Sequence, residues 1–150
     1  FARGFDIANA KNALYFDVDN VFLNNAPLNS QKPIMITVVY FDNGTGSWKL
    51  YYDAQAATDK VALSVTCTNS GLWKKASVTL TDAYFGNRAN TASDFYIKST
   101  NTQNVIFSLV ELERPNVSSS NVGFSATAIP EFDTLCINSN SASKSFILKG

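Results

Sequence analysis

The sequence predicts an all-β protein, a β-sandwich or jelly roll built from antiparallel strands. Short segments in which apolar and polar residues alternate recur along the chain, and clusters of turn-forming residues separate them. Helical periodicity is almost absent, and about seven or eight short strands with turns between them are typical of a sandwich. The chain has 150 residues, 45% of them hydrophobic, and is therefore long enough to bury a core.

The first half of the chain predicts three strands. Residues 14–22 (LYFDVDNVF) alternate in polarity, and residues 33–41 (PIMITVVYF) are apolar on both faces, which predicts a central strand. The turn at 42–46 (DNGTG) contains Asn-Gly, a strong hairpin signal, so we expect residues 47–54 (SWKLYYDA) to return beside 33–41. Trp48 is in phase with the apolar residues of that returning strand and is expected in the core.

Four further strands are predicted at 61–67, 73–80, 93–99 and 104–113. In the first of them the apolar residues occupy alternate positions from Val61 to Cys67, which predicts a buried thiol that packs as a small hydrophobe. In the last, Ile106, Val110 and Leu112 are predicted on one side of the strand. Parity places three tyrosines on outer faces, where they could line a groove: Tyr15, Tyr51 and Tyr96.

The composition changes after Arg114 and Pro115, so we expect the sandwich module to span 1–114. Residues 115–150 begin with a stretch rich in Ser, Asn, Ala and Thr, which predicts a linker and the start of a following β-domain. Alternatively, residues 129–137 (IPEFDTLCI) pair back as an edge strand of the sandwich. The chain begins at Phe1 without Met and ends in SKSFILKG, so we expect it to be an excised piece of a longer protein.

Charge and residue usage exclude several function classes. Twelve basic and 12 acidic residues cancel, and no basic stripe interleaves with aromatic residues, so we expect no nucleic-acid partner. No apolar run approaches the ~18 residues of a membrane span. The chain contains no histidine, which removes Ser-His-Asp and Cys-His mechanisms and His-ligated zinc.

The polar surface indicates a secreted protein. Charged residues make up 16% of the chain, against a typical ~25%, so Asn, Ser and Thr must supply most of the polar surface. Such a surface is typical of extracellular β-proteins and of sugar binders. Cys67 and Cys136 could form one disulfide, but the inward parity of Cys67 argues against it. We expect a monomer that is secreted, either extracellular or at the cell surface.

The segment 80–97 (LTDAYFGNRANTASDFYI) holds the densest set of candidate ligand-binding side chains. Sugar recognition uses aromatic faces for stacking and planar polar groups that bond pairs of hydroxyls, and this segment supplies both. Trp73 adds an aromatic platform, because its parity places it on an outer face. The predicted carbohydrate-binding residues are Arg88, Asn87, Trp73, Tyr84, Asn90 and Asp94.

The same segment also has a structural interpretation. In that interpretation Phe85 fills the core, Asp82 and Asp94 cap backbone amides, and Arg88 forms an internal ion pair with one of those two carboxylates. Both interpretations remain open at this point for Arg88 and Asn87.

Acidic residues suggest a metal site more readily than catalysis. Asp17 and Asp19 lie on one face of a predicted strand and could hold a structural Ca²⁺ with nearby oxygen atoms. Glycoside hydrolysis needs two carboxylates on opposite sides of the scissile bond. Glu111 and Glu113 share one strand face, where solvated charge is the simpler explanation, so we expect no enzyme activity and no required cofactor.

Three stretches together resemble a known family. They are ITVVYFDNGTGSWKLYYDA, GLWKKASVTLTDAYFGNRAN and SDFYIKS, followed by the closing strand VIFSLVELER. Residues 12–114 resemble the β-sandwich carbohydrate-binding modules appended to secreted bacterial glycoside hydrolases and polysaccharide lyases. The resemblance implies a jelly roll, often with a structural calcium ion, and favours Arg88 and Asn87 among the matching positions. Residues 129–150 resemble the opening of an Ig-like or C-terminal sorting-type domain.

We therefore expect a non-catalytic module that targets a covalently linked catalytic domain to a polysaccharide. Arg88 favours a ligand that carries carboxylate or sulfate, such as an algal galactan or a uronic-acid polymer. An Ig-like spacer without a ligand is the first alternative, and a catalytic jelly roll, a hydrolase or lyase, is the second.

Overall fold

The computed structural model describes residues 2–23 and 33–115, which form an all-β sandwich and confirm the predicted fold class. Within these residues, short 3₁₀ turns occur at Ile7–Asn9 and Asn90–Ala92, and no helix is long and apolar enough to cross a membrane. The strands are β1 (Arg3–Gly4), β2 (Ala13–Phe16), β3 (Ile34–Asp42), β4 (Ser47–Tyr52), β5 (Lys60–Thr66), β6 (Leu72–Leu80), β7 (Phe95–Ser99) and β8 (Ile106–Glu113).

The strands form two four-stranded antiparallel sheets. Sheet 1 has the order β1-β8-β3-β6, and sheet 2 has the order β2-β7-β4-β5. The inner faces of the two sheets share one core, in which Trp48 of sheet 2 packs edge-on against Tyr40 and Phe107 of sheet 1 at ring-centroid distances of 5.4 and 5.6 Å. The predicted burial of Trp48, Cys67 and Phe85 is confirmed, with exposed fractions of 0%, 4% and 0%.

The predicted hairpin between 33–41 and 47–54 is wrong, because β3 and β4 belong to different sheets. Both edges of β3 are occupied, one by β6 and the other by β8, so β3 is central as predicted but has no free edge for β4. The Asn-Gly turn instead carries the chain from one sheet to the other. A Cβ on Gly46 would overlap the side chain of Val105, so this close crossing requires glycine.

Two register shifts overturn predicted side-chain directions. In the β4–β5 pair Leu50 faces Leu63 while Tyr51 faces Val61, so the intervening residue bulges and Val61 turns outward with 46% exposure. A second shift in the β3–β8 pair turns Ile106 outward with 44% exposure. Alternation predicts that Val61 shares the side of Cys67 and that Ile106 shares the side of Val110 and Leu112, and a single extra residue in each strand reverses both predictions.

The predicted strand 14–22 is shorter in the structure, because β2 ends at Phe16. Beyond it, Asp19 forms a turn in which its Oδ1 accepts the backbone N–H of Val21 at 2.7 Å. At the other end of the sandwich, β8 ends at Glu113. The predicted linker, the alternative edge strand and Cys136 lie outside the described residues, and the domain boundary near Arg114 stays a prediction.

Candidate functional site

A buried carboxylate holds the loop between β6 and β7. Asp53, which is fully buried, accepts the backbone N–H groups of Gly86 at 2.8 Å and Arg88 at 3.2 Å on Oδ2. Its Oδ1 accepts Nη2 of Arg88 at 2.7 Å and Nε at 3.0 Å, while Nη2 also donates to the carbonyl of Ala54 at 2.6 Å. The side-chain hydrogen bonds to Asp53 raise the pKa of Arg88. The ion pair expected for Arg88 therefore exists, but with Asp53 and not with Asp82 or Asp94.

A second buried carboxylate, Asp94, holds the same loop from the β7 side. It accepts the backbone N–H of Val18 at 2.8 Å and that of Asn87 at 3.0 Å, as the structural interpretation predicted. Burial raises the pKa of Asp94, the two backbone bonds oppose that shift, and Asp17 and Asp53 add to it as like charges. The backbone of Asn87 is left-handed, with φ at 58°, and its Nδ2 donates to Oδ1 of Asp17 at 2.7 Å.

The remaining loop candidates also have internal contacts. The guanidinium of Arg88 lies over the ring of Tyr84, 3.7 Å from its centroid, and the backbone N–H of Asn90 donates to Asp59 at 3.1 Å. Asp82 accepts the hydroxyl of Tyr52 and the ammonium of Lys60, each at 2.6 Å. Internal bonding thus explains much of the polarity of this loop, and sugar binding by Arg88, Asn87, Tyr84, Asn90 and Asp94 stays a prediction.

Trp73 lies on the outer face of sheet 1, half exposed as parity predicted, but away from this loop. It is near the start of β6, while the loop follows Leu80, so about 23 Å of strand separates them. Its ring packs against Phe41 at 5.2 Å, and Ile106 lies beyond Phe41 in register. The structure therefore does not bring Trp73 together with the other predicted ligand-binding residues.

Each of the two predicted calcium ligands accepts a hydrogen bond within the protein. Asp17 accepts from Asn87, and Asp19 accepts from the backbone of Val21. Within residues 2–23 and 33–115, no group of three or more His, Cys, Asp or Glu side chains is placed to hold a metal ion. The calcium site stays a prediction.

The outer face of sheet 2 carries a row of three tyrosines, here called the tyrosine row: Tyr15, Tyr96 and Tyr51. They lie on adjacent strands in direct register, with ring centroids 5.5 Å apart for Tyr15 and Tyr96 and 4.8 Å apart for Tyr96 and Tyr51. Tyr15 is 44% exposed, whereas its neighbours reduce the exposure of Tyr96 to 5%. Burial raises the pKa of the Tyr96 phenol, and a hydrogen bond with Asp59 raises it further. The alternation of the sequence predicted the position of all three tyrosines on an outer face.

Two lysines lie beside the tyrosine row on the same face. Lys49 and Lys98, here called the lysine pair, are directly opposite one another in the β4–β7 ladder, two residues along each strand from Tyr51 and Tyr96. Both are half-buried. Sequence reasoning missed this pair, because the opposition of Lys49 and Lys98 becomes visible only once β4 and β7 are known to be neighbours.

A cleft of about 530 Å³ opens beside the exposed end of the tyrosine row. It runs between the β2 edge of sheet 2 and the β8 side of sheet 1, and its walls include Tyr15, Arg3 and Leu109. Tyr15, the exposed end of the tyrosine row, therefore also forms part of the cleft wall. A ligand chain could lie in the cleft and continue across the outer face of sheet 2.

Comparison of the chain with protein-family models, with curated proteins and with solved structures finds no match.

Proposed function

We propose that this chain is a non-catalytic carbohydrate-binding module that holds an attached enzyme on a polysaccharide. The observation that carries the proposal is the tyrosine row, an aligned set of aromatic side chains on the solvent face of a sheet. Burial in the core does not explain aromatic residues at these positions, because the core lies on the opposite face of the sheet.

The tyrosine row has the chemistry that a sugar ligand requires. Aromatic rings offer apolar surface to the C–H faces of a pyranose, and phenol hydroxyls bond its hydroxyl groups. Neighbouring strands are about 4.8 Å apart, so the three rings span roughly 10 Å, with Tyr15 at the accessible end and Tyr96 covered by its neighbours. Exposed Tyr15 and the adjoining cleft supply the accessible end of this surface.

Binding without catalysis is useful when the module is linked to an enzyme. A tethered module converts the encounter of enzyme and polysaccharide into an intramolecular event, which raises the effective substrate concentration. The secreted location and the linked catalytic domain are parts of this proposal.

A ligand-free spacer is the competing function, and one observation favours it. Tyr96 is almost completely covered, and cross-strand aromatic pairs stabilise a sheet by about 0.2–1 kcal/mol each without any ligand. The tyrosine row could therefore serve packing alone. The experiment must separate a loss of binding from a loss of stability.

The test is isothermal calorimetry or affinity electrophoresis of the full chain against a panel of neutral and anionic polysaccharides. Tyr15→Ala should weaken binding about tenfold, because one stacking contact is lost, while the melting temperature holds. Trp73→Ala is the matched control, since Trp73 has similar exposure on the outer face of the other sheet. Arg88→Ala should lower stability by about 2 kcal/mol, because it leaves the buried carboxylate of Asp53 without its cation.

Other outcomes would change the location of the site or the proposed function. Loss of binding in Trp73→Ala but not in Tyr15→Ala would move the site to sheet 1. Absence of binding across the whole panel would favour the spacer. Release of reducing or unsaturated ends by the isolated chain would overturn the non-catalytic assignment.

A further inference from the structure

The lysine pair places two like charges side by side, and the described residues supply no opposite charge to either. Lys49 and Lys98 are directly opposed in the β4–β7 ladder, and like charges in that position destabilise a sheet. Directly opposed residues have Cβ atoms about 5 Å apart, so both lysine side chains start from one small region of the surface and can reach the same group. A fold that uses this face only for packing gains nothing from the arrangement.

No carboxylate among the described residues pairs with either lysine. The ion pairs in this part of the chain join Lys60 to Asp82, Lys74 to Asp42 and Arg88 to Asp53. In register, the pair is flanked by Ala13 on β2 and Ser64 on β5, neither of which is acidic.

Hydroxyl side chains continue the strands beyond the lysine pair. Ser47 on β4 and Thr100 after β7 are joined at 2.7 Å by their hydroxyl oxygens, and Thr66 faces Ser47 on β5. Asp59, which contacts Tyr96, belongs to the opposite side of the tyrosine row. The face therefore runs from a cationic, hydroxyl-rich side across the aromatic rings to an acidic side.

We propose that the lysine pair binds the carboxylate or sulfate group of an acidic glycan whose sugar ring contacts the tyrosine row. This inference rests on the proposed function, because it assigns a charge to the ligand of the same surface. Two ammonium groups can converge on one anionic group, and the bound anion offsets their mutual repulsion. Arg88, the residue from which an anionic ligand was first expected, is already bound to Asp53.

The test compares glycans that share a backbone and differ in charge. Polygalacturonate is paired with its methyl-esterified form, and a sulfated galactan with its desulfated form, in calorimetric titrations of the full chain. The wild-type chain should prefer the charged member of at least one pair by tenfold or more. The preference should shrink as salt rises from about 0.05 M to about 0.5 M, because counterions screen exposed charges.

The double variant Lys49→Gln/Lys98→Gln should lose this preference and keep the affinity for the neutral partner. Its melting temperature should hold or rise, because the substitution removes a like-charge contact. Lys75→Gln is the matched control, since Lys75 lies in β6 and is exposed on the other sheet. It should leave the preference unchanged.

The outcomes separate this inference from the proposed function. Equal binding of charged and neutral glycans by the wild-type chain would overturn the inference and leave the binding module intact. An equal loss in Lys75→Gln, or equally tight binding of inorganic polyphosphate, would show diffuse attraction and would also overturn it. Absence of binding to every glycan would overturn the proposed function and, with it, this inference.

Discussion

Buried carboxylates at strand ends organise the loops of this sandwich. Asp42 ends β3, Asp53 follows β4 and Asp94 precedes β7, and all three have 0% exposure. A buried carboxylate is costly unless hydrogen bonds and cations compensate it, and each of these accepts backbone N–H groups from a connecting loop. Side chains of the types that often bind sugars, such as Asp, can therefore serve instead to fix the geometry of a loop.

Asp42 accepts hydrogen bonds from two hydroxyl groups and pairs with a lysine. Its oxygens accept the hydroxyls of Thr68 at 2.7 Å and Ser70 at 2.6 Å, and the ammonium of Lys74 lies at 2.5 Å. The bond to Lys74 is the main cause that holds the pKa of Asp42 far below the ordinary value of 3.8, and the two hydroxyls act in the same direction. The connection between β5 and β6 is thereby tied to the end of β3.

This depressed pKa predicts acid sensitivity. An acid whose pKa is lower in the folded than in the unfolded state contributes stability that is complete above its unfolded pKa. That contribution is lost as pH falls below about 4, because the unfolded chain then binds a proton that the folded chain resists. Denaturant midpoints measured from pH 7 to pH 3 should fall steeply at the acid end.

The variant Asp42→Asn should be less stable than wild type at pH 7 and should show a shallower fall toward pH 3. Glu111→Gln is the control, because Glu111 is exposed on β8, and it should reproduce the wild-type curve. Parallel acid limbs for wild type and Asp42→Asn would contradict the assignment.

At the scale of single strands, bulges decide which side chains reach the core. The alternation in β5 places Val61 and Val65 on the same side, but the extra residue between positions 61 and 63 reverses the outer end of the strand. Val65 faces Trp48 in register and packs against the core, whereas Val61 faces Tyr51 beside the tyrosine row. Without the bulge, Val61 would not lie on the outer face beside Tyr51.

The bulge predicts different costs for one substitution at these two positions. Val65→Thr should reduce the free energy of unfolding by about 1–2 kcal/mol, because it buries a hydroxyl among apolar groups. Val61→Thr should change it by less than about 0.5 kcal/mol, because the side chain already meets solvent. Urea unfolding of both variants checks this, and equal losses would argue for an unbroken register in β5.

At the scale of the whole molecule, the two sheets depend on one shared core. β3 is central in sheet 1 and β4 is central in sheet 2, and their inner faces meet around Trp48 and Tyr40. Neither sheet can bury its inner face without the other, so we expect the two central strands to open together.

Native-state hydrogen exchange, followed by fragment-resolved mass spectrometry, tests this coupling. The slowest amides of Ile34–Asp42 and Ser47–Tyr52 should report opening free energies that agree within about 1 kcal/mol. Amides of the edge strand β2 should have lower opening free energies than those of the two central strands. A markedly lower value for β4 than for β3 would show that sheet 2 opens independently.

Local chemistry was enough to predict the all-β class, the central position of β3, the burial of Trp48, Cys67 and Phe85, and the exposure of Trp73. The burial of Trp48 and Cys67 and the exposure of Trp73 follow from alternation along a single strand, which depends on residues two positions apart, and the position of β3 follows from apolar residues on both of its faces. The burial of Phe85, which lies in a loop, was predicted in only one of the two interpretations of that loop. The sheet to which β4 belongs, the bulges that turn Val61 and Ile106 outward, and the ion pair between Arg88 and Asp53 depend on strand neighbours far away in sequence. The pairing register of the strands sets those neighbours. It also aligns the tyrosine row and places Lys49 directly opposite Lys98, so only the tertiary structure assembles this surface.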